Sequence, residues 1–229
     1  MLKRLHDQVN RIFTWLKRNQ MIRTGSRVVK VNLGSGLTVA EGWYNIDGHL
    51  RSYFASWPRW VLRLVYRNVQ KSNLVYSEDS YVSILKNHTF IYHNLKYGIP
   101  FPDDSVDFLY ASHFLEHLFP VHASLFLKEA YRCLKKNGIF RVCVPDLAYA
   151  FKLYEKGEKK KALGYFFEDD PADEYTYHRY LYDAGLLRES LEKAGFRDIK
   201  KCSYQKGQTP DIQKLDRLPD ETLYMEAAK

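Results

Sequence analysis

Two histidines and a glutamate fall within the short segment Ser112-His113-Phe-Leu-Glu116-His117. Imidazole titrates close to neutrality, so a histidine held beside a hydroxyl can take its proton as the oxygen attacks an electrophile. His113 is the first candidate for that task. His117, four positions on, shares a helix face with it if the segment is helical, and Glu116 would orient either ring. Packing histidines beside a helix start is the plainer reading. The HxxEH spacing also invites a metal reading, but the segment follows a strand and no further ligand is identifiable, so no metal is expected. Farther on, His178-Arg-Tyr-Leu-Tyr182-Asp183 supplies a third histidine candidate, His178, and a phenol, Tyr182, either of which would touch an acceptor. The alternative there is a surface loop before a helix capped by Asp183.

A second constellation lies upstream. Val31-Asn-Leu-Gly34-Ser35-Gly36 puts a glycine turn directly after a strand pattern, and Trp43-Tyr-Asn-Ile-Asp47 ends the next strand on a carboxylate. Ligands of open α/β sheets bind beyond the carboxyl ends of the strands. Glycine lets the backbone approach a ligand closely, and a carboxylate in that position accepts hydrogen bonds from both hydroxyls of a ribose. The pattern is not the dinucleotide fingerprint: Val39 stands at the third glycine position, and Asp47 follows too soon. No GxxxxGK[ST] phosphate loop is present. A tight turn without a ligand competes with the nucleoside reading, and the order strand, glycine turn, strand, Asp disfavours it.

The elements that must carry these residues alternate. A helix is expected over 2–21, where Leu5, Val9, Ile12, Phe13 and Leu16 fall at helical spacing. Strands follow at 27–33, 43–47, 89–93 and 106–111. A helix over 121–136, stopped by Asn137-Gly138, leads to a strand over 139–144 that Pro145 ends. Asp146 caps a helix to about 156, and Asp183 caps another that ends at Gly195. Closing strands at 197–204 and 222–228, joined by a loop, suggest an antiparallel edge on an otherwise parallel sheet. Residues 50–88 form a helical insertion. Residues 1–24 read as a separate basic amphipathic helix, leaving one α/β domain over 25–229.

Composition narrows the classes. The chain has 229 residues, 45% hydrophobic and 27% charged, an ordinary globular balance that excludes wholesale disorder. The apolar stretch 57–66 is interrupted by Arg59 and Arg63, so no membrane span is expected, and the first residues do not read as a secretory signal. Cys133, Cys143 and Cys202 form no CxxC pair, which fits a reducing, cytoplasmic setting. The net charge of +8 is regional: residues 1–75 hold 13 Lys/Arg against Asp7, Glu41 and Asp47. With Trp15, Trp57, Trp60 and Tyr66 among those cations, residues 1–24 and 51–71 read as a lid over the cleft or as a dock for an anionic membrane. The remainder is slightly acidic, so nucleic acid is not expected. The acidic run 168–174 reads as a solvated, mobile loop.

Taken in order, VNLGSG, GWYNID, a strand ending Asn94-Leu95, PFPDDSVDFLYASHFLEHL and EAYRCLKKNGIFRVCVPDL resemble a class I S-adenosylmethionine-dependent methyltransferase, closest to the type 11 set. The resemblance covers about residues 27–156 and returns near the C-terminus. It implies a Rossmann-like three-layer sandwich with a mostly parallel seven-stranded sheet. It implies that Gly34, Ser35 and Gly36 hold the methionyl part of S-adenosylmethionine and that Asp47 binds the ribose. Asn94 stands where an Asp commonly meets the adenine amino group, Leu95 offers its N–H to the ring, and Ser112 lines the methyl-donor side. The insertion after the second strand and the ending LDRLPDETLYMEA resemble bacterial methyltransferases of polysaccharide assembly, which implies a sugar or glycan hydroxyl as acceptor. The alternative is a peripheral membrane or complex-forming module that keeps the fold with little catalysis.

Overall fold

The computed structural model describes residues 2–69, 76–167 and 177–229. Seven strands form one sheet: β1 Lys30–Leu33, β2 Trp43–Asp47, β3 Thr89–Tyr92, β4 Val106–Ser112, β5 Leu134–Pro145, β6 Arg197–Cys202 and β7 Thr222–Ala228. Their order is β3-β2-β1-β4-β5-β7-β6. β1 pairs in parallel with β2 and β4, β2 with β3, and β4 with β5; β7 runs antiparallel to both β5 and β6. This is the Rossmann-like sandwich with a reversed C-terminal edge that the resemblance implies.

Nine α-helices are described: α1 Leu2–Leu16, α2 Leu50–Phe54, α3 Arg59–Val69, α4 Glu78–Asn87, α5 Pro120–Cys133, α6 Leu147–Glu155, α7 Lys159–Gly164, α8 Ala184–Ala194 and α9 Ile212–Leu215. Side chains that alternate along a strand divide the core between the sheet faces. Leu109 and Ala111 of β4, with Phe140, Val142 and Val144 of β5, join Leu127 and Ala130 of α5 and Leu187 and Leu191 of α8. Tyr110 and Cys143 point the other way, to Trp43, Leu215 and Tyr224. The insertion closes a third cluster, in which Leu62 packs with Tyr81, Val82 and Leu85.

Some boundaries depart from expectation. α5 stops at Cys133 rather than 136, because Leu134 already pairs with Val106 and is fully buried. The β5 strand therefore begins at Leu134, and Asn137, with φ +65°, sits within it. Helix α1 ends at Leu16 rather than 21. It lies against the insertion and the β3 edge: Phe13 stacks on Tyr53 at 5.1 Å, and the Tyr92 hydroxyl donates to Asn10 Oδ1 at 2.6 Å. Arg63 and Arg67 of α3 form ion pairs with Glu78 and Asp79 of α4. The cysteines are free thiols, and burial pushes Cys133 up to about 12. The acidic run 168–174 and residues 70–71 lie outside the described residues.

Candidate active site

The glycine turn is built by the strands it joins. Gly34 and Gly36 both take left-handed backbone, at φ +65° and +54°, where a Cβ is sterically disfavoured. At Gly34 a Cβ would also come within 2.5 Å of the Phe114 ring, so the β1 and β4 tips meet only because this residue has no side chain. Around Gly36 the same position is open space. The Ser35 N–H donates to Ile46 O at 3.1 Å, tying the turn to β2. Residues 37–42 form no helix, so the turn offers backbone donors without a helix dipole.

Asp47 ends β2 with its carboxylate against that turn. Oδ2 accepts from the Gly36 N–H at 2.9 Å, Oδ1 from the His49 N–H at 2.7 Å, and Arg51 Nη2 lies 3.4 Å from Oδ2. A carboxylate accepts about four hydrogen bonds, so with these three donors about one position stays open to a ligand hydroxyl. One strand over, the Asn94 backbone faces Gly48 across 3.5 Å, measured to the Cβ position that Gly48 lacks. Asn94 Oδ1 accepts from Lys96 N–H at 3.0 Å, capping the short 3-10 turn Leu95–Tyr97; Leu95 itself is buried.

The histidines gather at the tips of β4, β5 and β7. His113, with φ +51°, is in a conformation rare outside glycine and asparagine. Its N–H donates to Cys143 O at 2.9 Å, and its Nε2 lies 3.1 Å from Thr222 Oγ1. Nδ1 faces Glu116 Oε1 at 3.5 Å. Glu116 is completely buried, and neither carboxylate oxygen has a hydrogen bond among the described residues. His117 Nε2 is 3.9 Å from the same oxygen. The 177–180 segment folds onto this turn, with Arg179 and Tyr180 N–H both donating to Glu116 O, and brings the His178 ring to 5.2 Å from His117. Ser112 ends β4 with its hydroxyl buried and without a partner. The three histidine candidates are therefore one cluster. The segment holding His113, Glu116 and His117 is not one helix, since only Leu115–His117 makes a 3-10 turn. Tyr182 packs in the core, 2% exposed, and its carbonyl accepts from Leu147 N–H. Burial first, then Tyr180 and the Glu116 charge, push its phenol well up.

Two supporting pairs were not foreseen. Asn32 and Asn45 are register partners in β1 and β2 and are buried. Asn32 Nδ2 donates to Thr38 O at 2.9 Å and to Asn45 Oδ1 at 3.1 Å, which pins the link after the glycine turn. An amide in the middle of each of two apolar strands was the available signal. Tyr165 and Glu221 form the second pair, joined by a hydrogen bond, and the Tyr165 carbonyl accepts from His178 Nδ1 at 2.7 Å. Glu221 adjoins Thr222, so one chain of contacts runs from β7 to His113 on one side and to His178 on the other.

A methyltransferase-domain family model matches residues 60–142, from α3 through most of β5. No curated protein matches the chain. A solved structure described as a SAM-dependent methyltransferase, from Thermotoga maritima, superposes with TM-score 0.52 at 17% identity, over 96% of this chain and 91% of that one. A SAM-dependent methyltransferase from Archaeoglobus fulgidus gives TM-score 0.48 at 17% identity, over 98% and 94%. The methyltransferase-domain match thus runs through β3, β4 and α5, and the superposition shows that the overall fold is shared.

Proposed function

We propose that this chain methylates a hydroxyl of a sugar or glycan-related acceptor. The observation that carries the reading is convergence: the Gly34–Gly36 turn, the Asp47 carboxylate and the His113–Glu116 pair all lie at one end of the same sheet. The residues fit the cofactor, since Gly36 leaves open space and Asp47 keeps acceptor capacity. In this reading Gly34, Ser35 and Gly36 hold the methionyl part, Asp47 the ribose, and Asn94 and Leu95 the adenine. S-adenosylmethionine, when bound, supplies an electrophilic methyl on a good leaving group.

The chain's own task is alignment and proton removal. Glu116 faces His113 Nδ1 and favours the tautomer with a proton there. That leaves Nε2, now beside Thr222, as the base for the acceptor hydroxyl. The sugar class rests on the insertion and the C-terminal motif noted above. Calorimetric titration with S-adenosylmethionine tests the first half: the wild-type chain binds and Asp47→Ala loses binding. Folded wild-type protein with no measurable binding overturns it. In assays against sugar and lipid-linked glycan acceptors, His113→Ala lowers turnover about 10²–10⁴-fold, and unchanged turnover removes the base assignment.

A second reading concerns membranes. Trp15 is 51% and Trp60 65% exposed, with Ile12, Leu16, Trp57 and Leu64 also outside. Arg18 stacks on Trp15. Apolar and cationic groups interleaved on two helices suit the surface of an anionic bilayer, where a lipid-linked acceptor would be found. No described helix is long and apolar enough to cross a membrane. Co-sedimentation with anionic vesicles at low salt, lost in Trp60→Glu, is the expected result; equal sedimentation of both chains rejects the dock.

A further inference from the structure

The Glu116 cluster has more ligand chemistry than proton removal needs. One ligand atom each from Glu116, His117 and His178 lies within 4.8 Å of the others. The rings are already oriented as metal ligands usually are. His117 Nδ1 is 3.1 Å from Tyr177 O, and His178 Nδ1 is 2.7 Å from Tyr165 O. A carbonyl can only accept, so in the neutral rings Nδ1 carries the proton and Nε2 the lone pair. Second hydrogen bonds of this kind, from the far nitrogen to a backbone carbonyl, fix tautomer and orientation in metal-binding histidines.

Glu116 gives the independent observation. Its side chain is wholly buried, and among the described residues both oxygens are without a hydrogen bond; burying a carboxyl group without hydrogen bonds costs the fold free energy. Its polar surroundings are the rings of His113 at 3.5 Å and His117 at 3.9 Å. Hydrogen-bonding distance is not reached with either, whereas a cation between Glu116, His117 and His178 would meet all three.

We propose that Glu116, His117 and His178 form a site for a divalent transition-metal ion of the zinc or manganese kind. Two imidazoles and one carboxylate favour such an ion over magnesium, which prefers oxygen ligands. Three protein ligands leave positions open, and an acceptor hydroxyl taking one would be acidified next to His113. That use of the ion rests on the methyl-transfer reading, whereas its binding does not. The sequence offered His113, Glu116 and His117 but no partner from elsewhere. The fold of 177–180 onto the 3-10 turn supplies His178.

Calorimetric titration of the metal-stripped wild-type chain with Zn²⁺, and separately with Mn²⁺, tests binding without any cofactor present. One ion per chain is expected, with affinity weakened more than about tenfold in Glu116→Gln and again in His178→Ala. Folding of both variants is followed by circular dichroism; His178 is on a partly exposed segment, so its variant keeps the test informative if the buried one unfolds. No binding of either ion by the wild type, or equal binding by wild type and His178→Ala, overturns the site. S-adenosylmethionine titration in chelator, run alongside, reports on the methyltransferase reading independently.

Discussion

Two buried carboxylate sites sit on this sheet and are built in opposite ways. On one face Arg141, fully buried, donates through Nε and Nη2 to Asp216 at 2.9 and 2.6 Å and through Nη1 to Glu226 at 3.1 Å. The Lys206 and Ser203 carbonyls also accept from it. Asp216 takes a further N–H from Gln205, and Glu226 takes those of Gln208 and Thr209. Every charged atom has partners, and the network ties the 203–216 loop to β5 and β7. Glu116 is as deeply buried but, among the described residues, its oxygens face only histidines at longer range. The first arrangement is closed and holds the fold; the second, in the proposed reading, keeps its bonding capacity for an ion. Burial alone thus does not separate structural from functional charge, whereas satisfaction does.

Breaking the closed network should cost most. Asp216→Ala leaves Arg141 buried with one of its two carboxylate partners gone, an expected loss of about 3–5 kcal/mol in unfolding free energy, read by urea denaturation. Loss below about 1 kcal/mol would mean that the network is dispensable. Gly207→Ala should cost less. Its Cβ would lie 2.3 Å from Glu226 Oε1 and 2.7 Å from Arg141 Nη1, so the triad must shift, at about 1–3 kcal/mol. The same measurement checks it, and a neutral result would show that the loop absorbs the added carbon.

The two sites also differ in how legible they were. The glycine turn, Asp47 and HxxEH could be read because their chemistry is local: residues that act together are near in sequence or close successive strands. Strand periodicity likewise predicted a mostly parallel sheet with a reversed edge. Arg141 could not be placed, because its partners come from 75 and 85 positions away and only the fold brings them together. A lone arginine inside the run Ile139-Phe-Arg-Val-Cys-Val was the sole hint. His178 was named as an acceptor contact, but its closeness to His117 depends on a loop docking on a 3-10 turn, which no periodicity signals. The burial of Tyr182 is equally hidden in the sequence: an aromatic residue after an irregular segment looks exposed, and only the strand-end bridge to Asp146 places it in the core. The end of α5 was missed because Leu134 fits a helix stripe as well as a sheet edge.

The open site predicts a sharper contrast. Glu116→Gln keeps shape and removes the charge, so the unfolding free energy in chelator should change by less than about 1 kcal/mol in either direction, since replacing an unpaired buried charge is commonly neutral or favourable. Turnover should fall about 10²-fold or more in the same variant. A loss of stability comparable to that of Asp216→Ala would make Glu116 a structural residue and erase the distinction.

The smallest effect is a slope against pH. Burial by itself would raise the Glu226 carboxyl, but the N–H groups of Gln208 and Thr209 and the Arg141 charge outweigh it and hold it below its ordinary value of 4.5. A carboxyl depressed in the folded state binds protons more readily when unfolded. Its contribution is therefore complete above about 4.5 and is lost as pH falls through the lower folded value. Glu129 has the same sign, held down chiefly by its hydrogen bonds with Arg132, against the opposing effect of burial. Unfolding free energy measured from pH 6 to pH 3 should then decline below about pH 4.5, and more gently in Glu226→Gln, whose absolute stability is lower throughout. If both chains fall with one slope, the Glu226 carboxyl binds protons equally well folded and unfolded, and the network does not hold it down.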